Sequence, residues 1–216
     1  MLGTLGKGLI AVWMTAGLCY VFLKLPPAVG FNDPELARIV TLHLPCAYTA
    51  VILAFVAGWH AMRYLKTRVL LSDAKAQGAA SLAALFCLLT TVTGSFFARV
   101  QWGSYWNWDP RQTSVFLLLL IYAAYFVLRS SIEDTDKKAA VSAVYMLFAV
   151  VMTPLLGYII PRAMPQSLHP KMASFDTPYR LGIYIAILPP LLGLTLWLNG
   201  LSARIETLRL AREELL

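Results

Sequence analysis

Charge is what this chain most lacks. Asp, Glu, Lys and Arg make up only 13% of its 216 residues, 59% are hydrophobic, and the mean hydropathy is +0.66. An ordinary soluble globular domain needs a larger charged share, so that class is set aside in favour of a membrane protein. Acidic residues are the scarcer sign, 11 against 18 Lys and Arg, for a net charge of +7. The basic residues are spread over many short segments and form no single stripe, which argues against nucleic acid as a partner. Cysteine is rare as well. Cys19, Cys46 and Cys87 all fall in apolar stretches, with no C-x-x-C among them. This excludes dithiol redox chemistry, and the three are read as small packing residues. Cys46 follows His43 by one helical turn, but too few further ligands lie nearby for a mixed metal site.

Long apolar runs, by contrast, are plentiful. Six stretches carry no charged residue: Gly8 to Leu23, Ile39 to Met62, Ala76 to Ala98, Gln112 to Leu128, Ala139 to Pro161 and Leu181 to Ala203. A helix needs roughly 20 apolar residues to cross about 30 Å of hydrocarbon. The shorter runs can extend past Lys7, Lys24, Arg111 and Arg129, whose long side chains reach back to the interface. The fold class expected is therefore an all-α integral membrane protein of six transmembrane helices joined by short loops. The first run is kept as a helix, since no small-x-small cleavage pattern follows it and Lys24 and Pro26-Pro27 do. Residues 1–216 read as a single transmembrane domain, the loops being too short for another. With both termini cytoplasmic, eleven of the 18 Lys and Arg lie inside, which the positive-inside rule favours. Residues 202–216, with alternating Arg, Glu and Leu, suggest an amphipathic cytoplasmic tail helix lying on lipid or on a partner.

Loops one, three and five of a six-span protein share one side, and they hold the unusual residues. Loop three, about 99–113 and external in this topology, reads Arg99-Val-Gln-Trp-Gly-Ser-Tyr-Trp-Asn-Trp-Asp-Pro-Arg-Gln-Thr113 and contains three of the chain's 6 tryptophans. As a short interfacial helix it would place Trp102, Tyr105, Trp106 and Asp109 on one face. An aromatic belt at the headgroups is the plainer reading, but a belt spreads over all loops, and these are concentrated in one. His43, near the outer start of span two, and His169, in loop five, belong to the same side. His60 lies at the opposite end of span two beside Trp59 and Arg63. Ionisable groups at membrane depth are costly and tend to be functional. Two imidazoles can take the axial positions of a haem iron, indoles can stack on the macrocycle, and Arg99, Arg111, Arg162, Lys171 and Arg180 can neutralise its carboxylates. Asp109 suits ordering the loop, through Arg111 or backbone amides.

The segment Trp-Gly-Ser-Tyr-Trp-Asn-Trp-Asp-Pro-Arg-Gln-Thr (102–113) resembles the tryptophan-rich WWD signature of haem-handling proteins of cytochrome c maturation. From end to end the chain is similar to the CcmC family. The resemblance implies that Trp102, Trp106, Trp108 and Asp109 form a platform holding haem b non-covalently and that His43 and His169 ligate its iron; of the outer cations, Arg111 and Arg180 are taken as the haem-binding pair. It implies no enzymatic step, but delivery to a CcmE-like haem chaperone alongside CcmA, CcmB and CcmD-like subunits, at the periplasmic face of a bacterial inner membrane. Pro110 and Gln112 depart from the usual pattern toward the CcsA-type cytochrome c synthetases, an alternative that a single inner histidine, His60, disfavours as a poor relay. A b-type cytochrome subunit would need histidines paired at mid-membrane. A transporter would use breaks such as Pro154-Leu-Leu-Gly157 or Pro189-Pro190, here read as tolerated kinks.

Overall fold

The computed structural model describes residues 3–170 and 175–213, and Lys171 lies outside these. Six helices are long and apolar enough to cross a membrane: α1 Thr4–Lys24, α2 Leu36–Thr67, α3 Leu70–Trp102, α4 Pro110–Ser130, α5 Thr135–Ala163 and α6 Thr177–Arg209. Each contains one of the six charge-free stretches, and no strand occurs among the described residues. The last helix continues without a break to Glu213, so the described part of the expected tail helix, 202–213, is the end of α6.

The bundle is organised around α2 and α3, which pack along most of their length, with α5 against α2, α4 against α3 and α5, and α6 against α3, α2 and α1. Lipid tails are as apolar as leucine, so close packing and not hydrophobic exclusion must hold such helices together, and small residues permit it. Ala50, Ala54, Ala57 and Ala61 of α2 face Ala76, Ala79, Ala80 and Ala83 of α3, all buried in one cluster. Gly58 of α2 lets Val150 of α5 approach so closely that a Cβ there would overlap its side chain. At the end remote from loop three, Arg129 of α4 grips Asp73 of α3 with two nitrogens, at 2.8 and 2.6 Å, a two-pronged pair that ties the helix ends.

The helix breaks suggested by Pro154 and Pro189-Pro190 are wide π-type turns, Leu155–Ile159 in α5 and Gly182–Ile187 in α6, with a third at Tyr20–Lys24 of α1. The backbone stays hydrogen-bonded through them, as hydrocarbon demands. The Ile185 carbonyl within one of them also accepts from the Trp13 indole of α1 at 3.0 Å. All three lie toward the end that carries loops one, three and five. There Gln101 of α3 clasps loop one: the amide nitrogen of Asn32 donates to its Oε1 at 2.8 Å, and the Asn32 side chain donates to its carbonyl at 2.6 Å.

Candidate functional site

Loop three is not an interfacial helix. Gly103 ends α3 with φ +82°, a left-handed cap that glycine adopts without strain, and Pro110 opens α4, so 103–109 crosses over as an irregular turn. The four residues expected on one helical face therefore part company. Trp102, the last residue of α3, meets the His169 ring edge-on at 5.1 Å and Phe97 at 5.7 Å. Trp106 turns instead to Trp108 at 5.9 Å and Phe116 at 6.2 Å. Trp108 is 75% exposed and holds φ +53°, a conformation that a bulky residue adopts only when its surroundings force it. Its neighbour Asp109 is fully enclosed.

Asp109 accepts from the Arg111 amide at 2.8 Å, capping α4, and from the Leu168 amide of loop five at 2.6 Å. Its Oδ1 also lies 2.8 Å from His169 Nδ1, though off the direction of the ring N–H, so the contact is an ion-pair approach and not a directed hydrogen bond. Burial pushes the Asp109 carboxyl up, but the His169 imidazole and the two amides more than reverse this and hold it below the ordinary carboxylate range. Being ionised, it can only accept. It can therefore orient the His169 ring through the Nδ1 that faces it.

His43 is oriented by another route. Its Nδ1 lies 3.0 Å from Thr93 Oγ1 of α3. The Thr93 hydroxyl hydrogen is already given to the Leu89 carbonyl at 2.7 Å, so the imidazole must be the donor. Nε2 of His43 is thus unprotonated in the neutral ring. Ligating histidines are commonly fixed in this way by a partner on the other nitrogen. The room for the ring comes from Gly94, where a Cβ would stand 2.9 Å from His43 Cε1. We expect Gly94→Ala to displace the imidazole and disturb the absorption spectrum of any bound haem while leaving the unfolding midpoint nearly unchanged. An unaltered spectrum would show that the ring's position is immaterial.

The cations divide. His169 and Arg111 both lie within electrostatic reach of His43, and Arg111 Nε is buried without a partner. Arg99 donates to the Gly103 carbonyl and lies over Tyr105, so it orders loop three. Arg162 sits over the Tyr158 ring at 5.3 Å. Arg180 is exposed and donates from Nε to the Phe175 carbonyl at 2.9 Å. The Phe175 ring stacks on Phe31 at 5.1 Å, and Phe31 meets Phe97 beneath Trp102.

Two groups escaped the sequence reading. One is the pair Thr93-Gly94, whose signal was a glycine in an apolar span, which marks a close approach. The other is a hydroxyl pair, Tyr48 OH and Tyr184 OH, 3.1 Å apart, with Arg111 and Tyr158 within electrostatic reach of Tyr48. Tyr158 and Tyr184 both sit on π-type turns, whose altered register no periodicity argument anticipates.

Six apolar helices with two imidazoles, three indoles and a half-buried arginine at one end define a multi-pass membrane protein whose rare residues gather at one membrane face. The chain matches, over residues 3–215, the sequence profile of a family described as heme exporter protein C, and it belongs to this CcmC family. Among similar proteins, heme exporter protein C of Bradyrhizobium diazoefficiens is 32% identical over 130 residues, 60% of this chain and 49% of that protein. The Paracoccus denitrificans protein of the same name is 29% identical over 160 residues, 71% of this chain and 66% of that one. For Escherichia coli the figures are 27% over 182 residues, 80% and 72%. The match with the first two thus spans about half to two thirds of their length. The family match answers in favour of CcmC the choice that Pro110 and Gln112 had left open toward the CcsA type.

Proposed function

We propose that the chain binds haem b non-covalently at the outer, periplasmic face of a bacterial inner membrane and hands it to a CcmE-like chaperone for cytochrome c maturation. CcmA, CcmB and CcmD-like subunits are the expected partners. The observation that carries this reading is the pair of imidazoles at one end of the bundle, His43 with Nδ1 hydrogen-bonded to Thr93 and His169 with Nδ1 2.8 Å from the Asp109 carboxylate. Haem is here the cargo. The residues hold and release it by ligand exchange and make or break no covalent bond.

Arg111, with a buried nitrogen lacking a partner, supplies charge for one propionate, and the Tyr48–Tyr184 hydroxyls offer hydrogen bonds beside it. Arg180 is assigned to the second propionate. Trp102 braces His169 from within, whereas exposed Trp108, with Trp106 behind it, faces the incoming chaperone or the haem rim.

The detergent-purified chain is expected to take up one ferric haem with a low-spin, six-coordinate spectrum and to pass it to an apo-chaperone. Trp106→Ala with Trp108→Ala should slow that transfer severalfold without lowering the unfolding midpoint, because Trp108 is 75% exposed. A chain that neither retains nor transfers haem would refute the assignment.

A further inference from the structure

The opposite end of α2 repeats the outer set of groups in reduced form. Among the described residues α5 and α6 make no extended contact with each other, so a face of α2 stays open between them. On it Ile52, Phe55, Val56, Trp59 and His60 line a shallow apolar depression. Trp59 is 65% exposed, and Arg63 and Lys75 lie within electrostatic reach of His60. An imidazole, an indole, an apolar wall and two cations match an amphiphilic metalloporphyrin with two carboxylates. A phospholipid headgroup would use the cations and the indole, but it has no need of an imidazole.

Resting on the haem-binding reading above, we propose that His60, Trp59, Arg63 and Lys75 form a second, weaker haem station at the inner-leaflet end of α2. Its place in the membrane follows from length. α2 has 32 residues, which makes it about 48 Å long, and His43 and His60 are separated by about 25 Å along its axis. The two histidines thus stand near opposite boundaries of a hydrocarbon layer about 30 Å thick.

The weakness follows from the ring's surroundings. His60 Nδ1 is enclosed and has no partner, whereas His43 Nδ1 is hydrogen-bonded with Thr93, and His169 Nδ1, itself without a directed hydrogen bond, lies 2.8 Å from the Asp109 carboxylate. Ligation through Nε2 would place the His60 proton on a nitrogen with no acceptor. A missing partner of this kind lowers metal affinity about 10–100-fold. A single weak ligand, giving five-coordinate iron, suits a station that gives haem up toward the tighter outer pair. The inner histidine therefore needs no second imidazole.

The test titrates ferric haem into the full chain in lipid nanodiscs, with His43→Ala and His169→Ala in place. Residual binding is expected, about 10–100-fold weaker than in the unaltered protein, with a five-coordinate high-spin spectrum. Adding His60→Ala should remove that spectrum, and His60→Gly should regain it with added imidazole. Haem dimethyl ester should bind the double variant at least severalfold more weakly than haem, a difference that Arg63→Gln with Lys75→Gln erases. Residual binding indifferent to His60, or equal for haem and its ester, overturns the inner station. The outer assignment fails separately, by absence of haem from the unaltered protein.

Discussion

Replacement of His43 and His169 together by alanine is expected to abolish the six-coordinate low-spin haem spectrum. The largest effect belongs to this pair because axial ligation is the one contribution that neither stacking nor charge can replace. Each single variant should leave five-coordinate, high-spin iron, because the remaining imidazole is still fixed by its own partner, Thr93 for His43 or Asp109 for His169. Added imidazole should restore the low-spin spectrum in His43→Gly and His169→Gly, where space for the free ligand remains. The measurement is an absorption titration of the purified chain with ferric haem. If either single variant keeps the six-coordinate spectrum, the two histidines do not share an iron; if the double variant keeps it, they do not ligate haem at all.

How far these groups could be read from the sequence depends on the physical range of each signal. The six helices were legible because each is a local property: a charge-free run of sufficient length has one stable form in hydrocarbon. The grouping of His43, His169 and the tryptophans on one side followed from loop parity, which needs no geometry. Within loop three, spacing misled. Trp102, Trp106 and Asp109 have helical intervals, but Gly103 at φ +82° stops the helix after Trp102, and Trp106 packs on Trp108 and Phe116 instead. That glycine was visible, and a left-handed cap was its stronger meaning. Thr93 opposite His43, Gly94 beneath its ring, and Tyr184 opposite Tyr48 were not legible, since they arise only when α2, α3 and α6 pack. Asp109 was read as a loop-ordering residue. Its reach across to Leu168 and His169 depends on loop five folding over loop three.

That reach makes Asp109→Ala the other large expected effect. The side chain is wholly enclosed and accepts from the amides of Arg111 and Leu168, at 2.8 and 2.6 Å, with Ser167 Oγ at 3.4 Å. Alanine leaves two amides without acceptors; a buried unpaired group costs about 1–3 kcal/mol, and because these two are only partly buried a combined loss of about 2–4 kcal/mol is expected. Loop five then loses its anchor, and His169 loses both the group that orients it and the negative charge that favours the Nδ1 proton. Haem affinity should fall about 10–100-fold, with the remaining haem five-coordinate on His43. Asp109→Asn, which retains one acceptor oxygen but no charge, should fall between. Acid should mimic the loss in the unaltered protein. The folded carboxyl is held below its ordinary value, so its stabilisation is complete above about pH 4 and is lost as pH falls through that range toward the lower folded value. Thermal unfolding and haem titration of the three proteins from pH 7 downward measure both effects. An Asp109→Ala protein with unchanged midpoint and six-coordinate spectrum would show that loop five holds His169 without this carboxylate.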